Sequence, residues 1–406
     1  MEEFVSVKKT IMNESYWSRI RESFLLDPNE IYFNTGSFGS LPRSVFESMQ
    51  EVLHHIEKNP TRRRGQQQTE VTNARKTLAA FLNASAEDIA FASNVTMAIN
   101  MVVLGLDWQS GDEILASDQE YGAVDNCLHL AETRFGIVVK RARIPIPPTG
   151  PEEVLDAFEA EFTPKTKLVL CSHITTRTGL INPLDKLVDL AHEHGALIAF
   201  DGAHTPGMIP LDLQASECDF YGGNCHKWLC APKGTGFLFA KPDVQDRMRH
   251  VVASWGYSQE GPSLGDKGEL LINGQPFMWG LENWGTRDQA CFIAVANAVD
   301  FQENIGKDQI LARGRQLADH LRQKMSRTGW ANLLTPSCEE MSGSISAFEL
   351  LGIQNTDLYD TYKITVPFGR WEDKDSHWMR VSTHICNGFE QIDILIEALT
   401  ELRGKK

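Results

Sequence analysis

Ala196-Leu-Ile-Ala-Phe-Asp201-Gly-Ala-His204, and further on Phe220-Tyr-Gly-Gly-Asn224-Cys-His226-Lys227-Trp228, are the stretches on which the reading of this chain turns. Each is a short apolar run that ends in glycine and ionisable side chains, the pattern of a buried strand meeting a turn. Pro232-Lys-Gly-Thr-Gly-Phe-Leu-Phe239 then reads as a turn and a further strand, which puts Lys227 at a bend between strands. A carboxylate placed directly after a buried strand, as Asp201 is, costs free energy unless it meets a cation. A lysine flanked by tryptophan and apolar residues loses hydration, which lowers its pKa and frees the neutral amine to attack a carbonyl carbon. Taken singly, Asp201 is equally a helix cap, His204 a hydrogen-bonded core histidine and Lys227 a solvated loop residue. Their grouping is what argues for chemistry.

Outward from this stretch, residues 60 to 240 alternate short apolar runs with segments of helical period, which is the pattern of βαβ units on a mostly parallel sheet. The expected strands are Asp88–Ala92, Glu113–Ser117, Val138–Ile144, Lys167–Ser172, Ala196–Phe200, Phe220–Gly222 and Gly236–Ala240. A helix over Pro183–His194 opens with proline and stops at Gly195, as capping chemistry prefers. Beyond residue 295 the texture changes to helices at Asn297–Ile305 and Gln309–Arg327, strands at Ser344–Leu350, Ile364–Val366 and Trp378–Ser382, and a closing helix at Glu390–Leu402. The expected fold class is therefore α/β, with a large domain over residues 56–295 and a smaller α+β domain over 296–406. Residues 1–55 carry a turn-rich Asn34-Thr-Gly-Ser-Phe-Gly-Ser40 and a helix near Arg43–Glu57. They are expected to lack sheet strands and to lie against the small domain and over the cleft.

The 406 residues exceed what one core usually serves, and 42% hydrophobic with 23% charged residues is the composition of a globular chain. A net charge of -15 repels nucleic acid and anionic membrane, so an anionic ligand has to be held by a local arrangement. The one dense basic run, Arg62-Arg63-Arg64, is either a solvated loop or a site mouth that attracts carboxylates. Eight cysteines without a CxxC pair fit reduced thiols and no metal site. Met1–Lys9 lacks the basic-then-apolar pattern of a signal segment, and no run reaches the roughly 20 apolar residues of a membrane span. A cytoplasmic protein is the expectation.

In open α/β sheets ligands bind beyond the carboxyl ends of the strands. Three more strand ends therefore count. Phe91-Ala-Ser-Asn94-Val95-Thr96 passes from strand into helix, where free N–H groups and the Thr96 hydroxyl suit a phosphate, although capping alone explains Asn94. Ser117-Asp-Gln-Glu120-Tyr121 places an aromatic ring where it can stack on a flat heterocycle. Ser172-His173-Ile-Thr175-Thr176-Arg177 offers a hydroxyl to a ring oxygen. A packed aromatic or a solvated hydroxyl is the plain alternative for the last two.

In this order, from about Tyr32 to Leu399, the segments resemble the class V aminotransferase family of fold-type I pyridoxal phosphate enzymes, and most specifically at Asp-Gly-Ala-His over 201–204 and His-Lys over 226–227. The resemblance implies pyridoxal 5′-phosphate as cofactor, with Lys227 as its Schiff-base lysine, Asp201 as partner of the pyridinium nitrogen and His204 as donor to the ring 3-oxygen. It implies that Tyr121 stacks on the ring, that Thr176 contacts it, and that Asn94, Val95, Thr96, Asn224 and His226 surround the phosphate. Trp284-Gly-Thr286-Arg287 resembles the segment that reaches the cofactor of a neighbouring subunit, which implies a homodimer with shared sites. Trp378-Met-Arg380-Val-Ser-Thr resembles the motif whose arginine grips the substrate α-carboxylate, a task suited to a planar fork; Arg380 and Asn34 are the expected substrate contacts.

Cysteine desulfurases of this family carry a nucleophilic cysteine before that arginine, and Asn355 to Trp378 holds none, so persulfide formation is not expected. Lys363-Ile-Thr-Val-Pro-Phe-Gly-Arg370-Trp371 resembles the isopenicillin N epimerase-like branch. That branch implies epimerase or C–S lyase chemistry at the α-carbon of an amino acid. The alternatives are an aminotransferase with a 2-oxo acid acceptor and, remotely, a silent cofactor-binding scaffold. Arg64, Arg177 and Arg370 are candidates for a distal acidic group on the substrate, each with solvated surface as its alternative.

Overall fold

A computed structural model describes residues 13–353, 357–370 and 376–404. Positions 1–9, and 355–356 and 371–375 of the cysteine-free loop, lie outside the described residues. In chain order the first elements are α1 (Glu14–Glu22), β1 (Ile31–Tyr32), α2 (Arg43–Glu57) and α3 (Arg64–Phe81). Then come β2 (Ile89–Ala92), α4 (Val95–Val103), β3 (Glu113–Ser117), α5 (Gly122–Phe135), β4 (Val138–Ala142), α6 (Pro151–Glu159), β5 (Thr166–Ser172), α7 (Leu184–Glu193), β6 (Leu197–Gly202), β7 (Phe220–Asn224) and β8 (Gly236–Ala240).

Strands β2 to β8 form a seven-stranded sheet in the order β2-β8-β7-β6-β5-β3-β4. Only β8 runs against its neighbours. Alternate residues face opposite sides, and both sides are covered: Phe91, Leu115, Val169, Phe200 and Phe237 enter one core, Ala90, Ile114, Leu168, Ala199 and Leu238 the other. Burial on both faces is why the inner strands read as apolar runs; all seven, including the partly exposed edge strand β4 with Lys140 and Arg141, were expected within two residues of their ends. Since β2 and β7 are both antiparallel to β8, the carboxyl ends of β2, β3, β5, β6 and β7 share one edge. Every catalytic candidate of the large sheet sits on that edge or in the turn following it.

A small antiparallel sheet of β9 (Ser263–Leu264), β10 (Leu270–Ile272) and β11 (Gln275–Pro276) follows, with strands too short for the period-2 signal, and then α8 (Phe277–Leu281). Helix α9 (Gln289–Ile305) starts well before the expected Asn297, because Asp288 caps it by accepting from the Ala290 N–H. It continues unbroken past residue 295, so no linker separates the two sheets. After α10 (Lys307–Ser326) come β12 (Ala331–Leu333), β13 (Ile345–Leu350), α11 (Leu358–Tyr362), β14 (Ile364–Thr365), β15 (Phe368–Arg370), β16 (His377–Ser382) and α12 (Phe389–Gly404). The antiparallel sheet β12-β13-β16-β15 shares a core with α10 and α12 through Leu317, Leu321, Phe348, Val381, Leu395 and Leu399.

The expectation that residues 1–55 hold no strand is corrected. Ile31 and Tyr32 pair in parallel with Ile364 and Thr365, and Phe33 is fully buried in the small-sheet core. Two paired residues are too few to leave a period in the sequence. Their effect is nonetheless large, since they hold the following turn, 34–40, over the edge of the main sheet.

Candidate active site

Asp201 is the penultimate residue of β6 and is 2% exposed. Its Oδ1 accepts from the Ala203 N–H at 2.9 Å, while Oδ2 is buried with no hydrogen-bond partner. An unsatisfied buried carboxylate oxygen is costly, so a donor belongs there. Burial pushes the Asp201 carboxyl above its usual range, against the Ala203 N–H and the positive charge of Lys227.

Lys227 follows β7, and its Nζ lies 3.5 Å from His204 Nε2. Desolvation brings the Lys227 amine down to about 8, with Asp201 opposing and Arg380 assisting. At pH 7 about a tenth of such a lysine is neutral, against about three in ten thousand for an ordinary one. His204 is buried and held far below the usual histidine value by desolvation, then by Lys227 and Arg380. Its Nε2 also meets Thr176 Oγ1 at 3.3 Å, and its Nδ1 accepts from the Trp228 indole N–H at 3.2 Å.

Arg380 comes from β16, and its guanidinium is held on both arms by neutral groups. Nη1 donates to the Thr176 carbonyl and Oγ1, both at 3.0 Å, and Nη2 to Asn34 Oδ1 at 3.0 Å and Ser37 Oγ at 2.9 Å. Nε has no partner, and no carboxylate pairs with this arginine among the described residues. Burial lowers Arg380 to about 10. A buried cation with only neutral partners is a receptor for an anion. The 34–40 turn that supplies Asn34 and Ser37 is clamped over the lysine: the Gly39 N–H donates to the His226 carbonyl at 2.9 Å. A Cβ on Gly39 would lie 1.9 Å from the Lys227 carbonyl, so only glycine permits this approach.

At the start of α4, Asn94 Oδ1 accepts from the Met97 N–H at 2.9 Å and Asn224 Oδ1 from the Val95 N–H at 2.8 Å. Asn94, Val95 and Asn224 thus build the helix cap, and the Thr96 hydroxyl and the Asn224 amide N–H are the donors left for a phosphate. His226 donates Nδ1–H to the Thr235 carbonyl at 3.1 Å. Tyr121 stands at the N-terminal boundary of α5 without a side-chain cap bond and is about half exposed. The preceding Glu120 is buried and accepts from Ser172 N at 3.1 Å and Ser172 Oγ at 2.7 Å, and its carboxyl is raised to about 7 by burial.

The structure therefore brings together Asp201, His204, Lys227, Thr176, Arg380 and Asn34, linked by hydrogen bonds or close approach, with the α4 cap beside them. Thr286 is elsewhere, lining a cavity of about 640 Å³ with Arg64, Arg287 and Gln67. Arg63 contacts His55, and Arg177 lies 5.9 Å over the Trp378 ring. Ser37, Trp228 and Glu120 were not singled out as site residues from the sequence. All three stood within quoted motifs, but Arg380, His204 and Ser172, their partners, are distant in the chain. Among the described residues no group of three or more His, Cys, Asp or Glu is placed to hold a metal, and no helix is long and apolar enough to cross a membrane.

A desolvated lysine, a buried carboxylate with an open oxygen and an uncompensated arginine, on the carboxyl edge of a doubly covered sheet, define an enzyme of the fold-type I class. The chain belongs to the class V aminotransferase family, whose model matches residues 31–395. It is 37% identical to the isopenicillin N epimerase of Amycolatopsis lactamdurans over 95% of this chain and 98% of the relative. The isopenicillin N epimerase of Streptomyces clavuligerus is 34% identical over 96% and 99%. Among solved structures, the apo cysteine desulfurase of Thermococcus onnurineus superposes with a TM-score of 0.83 at 20% identity, covering 96% of this chain and 98% of that one, which is a likeness of fold. The chain is thus a pyridoxal phosphate enzyme acting at the α-carbon of an amino acid. The open Asp201 oxygen, the desolvated Lys227 and the capped start of α4 fit that cofactor.

Proposed function

We propose that this enzyme epimerises the α-carbon of an amino-acid substrate, with Lys227 binding the cofactor aldehyde and moving the α-proton. The observation that carries the reading is the meeting of Lys227, the open oxygen of Asp201 and the unpaired Arg380 in one cleft. Full-length similarity to two isopenicillin N epimerases supports the choice of reaction, and the name they share makes isopenicillin N the first substrate to try. The absence of cysteine from 355–378 speaks against a persulfide-forming desulfurase.

The bound cofactor supplies an electron sink for the α-carbanion. Arg380 holds the substrate carboxylate on its fork, with Asn34 and Ser37 keeping the fork in place. Once released from the cofactor, Lys227 would be a free amine whose Nζ is placed to take the α-proton, and a proton returned to the opposite face of the α-carbon would complete the epimerisation. Asp201 Oδ2 would keep a proton on the ring nitrogen, the state that accepts negative charge. His204 would donate to the ring 3-oxygen, Tyr121 would cover the ring face, and Thr96, Asn224 and His226 would hold the phosphate. Thr286 reaches the site of a second copy in a homodimer, and the protein works in the cytoplasm.

Proton NMR in heavy water, with isopenicillin N and a panel of L-amino acids, tests the reaction. The expected result is loss of the α-proton signal with mixed stereochemistry and no acceptor added. A 2-oxo acid product without acceptor would replace epimerisation by β-elimination. Product formed only with an added 2-oxo acid would make this an aminotransferase.

A further inference from the structure

Trp228, the neighbour of Lys227, is fully buried, and its indole N–H points into the site at His204 Nδ1, 3.2 Å away. An indole N–H can only donate, so Nδ1 must accept. The desolvated His204 ring is neutral and has one proton, which the Trp228 bond therefore assigns to Nε2. Nε2 is the nitrogen facing the chemistry, 3.5 Å from Lys227 Nζ and 3.3 Å from Thr176 Oγ1. Full burial restrains the indole from turning away. The Trp228 carbonyl accepts from Gln302 Nε2 at 2.9 Å, and its ring meets His384 edge-on with centroids 5.5 Å apart.

We propose that Trp228 is a positioning residue that locks His204 in the Nε2–H tautomer, so that the imidazole offers a donor, never a lone pair, to the 3-oxygen of the cofactor ring. The proposal rests on the reading of Lys227 and His204 given above. Without the indole N–H, the ring is free to carry its proton on Nδ1, and a lone pair then faces an oxygen that bears negative charge. A donor stabilises that oxygen most when the lysine–cofactor linkage has lost its own proton. Removing the lock therefore raises the pH at which the linkage deprotonates.

Trp228→Phe keeps the aromatic packing and deletes the donor. Nitrogen-15 NMR of histidine-labelled protein, with the His204 signal identified among twelve histidines by its loss in His204→Gln, reads the tautomer in holoenzyme and in apoenzyme well above pH 8, where the Lys227 amine is mostly neutral and can accept from Nε2. The wild type should show a protonated Nε2 and a bare Nδ1, and Trp228→Phe a mixture. In the same variant the pH midpoint of the cofactor's visible absorption should rise by about one unit, a tenfold change in proton affinity. A wild-type ring protonated on Nδ1 overturns the proposal even if the variant fails to fold. A folded Trp228→Phe with an unmixed Nε2–H ring and an unmoved midpoint overturns it as well. Absence of any absorbing lysine adduct in the wild type would instead refute the cofactor role of Lys227, while the tautomer measurement in apoenzyme still stands by itself.

Discussion

Arg380 and Arg313 are both buried arginines, and the chain treats them in opposite ways. Arg313, on α10, has a fully buried side chain that meets both oxygens of Glu14, with Nη2 to Oε2 at 2.9 Å, and its guanidinium lies 4.8 Å over Phe389 and 5.4 Å over Trp17. Arg75 and Arg287 likewise converge on Glu282, at 2.6 and 2.8 Å. Arg380 has four neutral contacts and, among the described residues, no carboxylate. Desolvation costs both arginines free energy, but only Arg313 has the cost offset from within the chain. The difference separates a cation that fastens an N-terminal helix from one held ready for a ligand. Asp201 has the same character on the anionic side, with one oxygen satisfied and one open.

Substitutions can break this contrast. Lys227→Ala should lower turnover by about a thousandfold or more, since covalent anchoring and base catalysis are lost together. Retention of wild-type kcat would remove Lys227 from the mechanism. Arg380→Ala should raise KM by about ten- to a hundredfold, from loss of a charge-assisted bidentate contact, with a lesser change in kcat. An unaltered saturation curve would place the substrate carboxylate elsewhere. Arg313→Ala should do the reverse, leaving KM unchanged in folded enzyme and costing about 1–3 kcal/mol of stability in denaturant titration, because Glu14 and the stacked rings lose their partner. A shifted KM with unchanged stability would erase the distinction.

The Lys227 amine sharpens the contrast further. Its value is depressed to about 8, so the neutral fraction available to capture cofactor rises with pH up to that point and then levels. Cofactor uptake by apoenzyme, followed by stopped-flow absorption, should accelerate about tenfold per pH unit below the plateau. Continued acceleration to the pH of an ordinary lysine, 10.5, would show that the cleft does not desolvate it.

Much of this was legible in the sequence because two constraints leave local marks. Strands covered on both faces, such as β3 and β8, are continuous apolar runs with turn residues at each end, and their limits agree with those read from sequence. Asp201, His204, His226 and Lys227 stand out because ionisable groups directly after buried strands need a reason. What was not legible depends on distant closure. Asn34 was expected beside Arg380 through the family resemblance alone and Ser37 was not expected there; they reach that arginine across 346 and 343 positions of chain, through a two-residue strand that leaves no periodic trace. Trp228 read as apolar shielding for Lys227, and only the folded geometry shows its N–H engaged with His204. The family resemblance placed Asn94 and Asn224 around the phosphate, and the folded geometry adds that their side-chain oxygens accept from backbone N–H groups of α4, leaving the Asn224 amide N–H for that role.

Borohydride reduction of the cofactor-loaded enzyme, followed by peptide mapping, asks most directly whether the buried lysine is the anchor. Lys227 should carry the reduced pyridoxyl group in near-stoichiometric yield, and Lys227→Ala should carry none. Labelling of a different lysine, or an unlabelled Lys227 peptide from yellow, active enzyme, would contradict the assignment on which the mechanism stands.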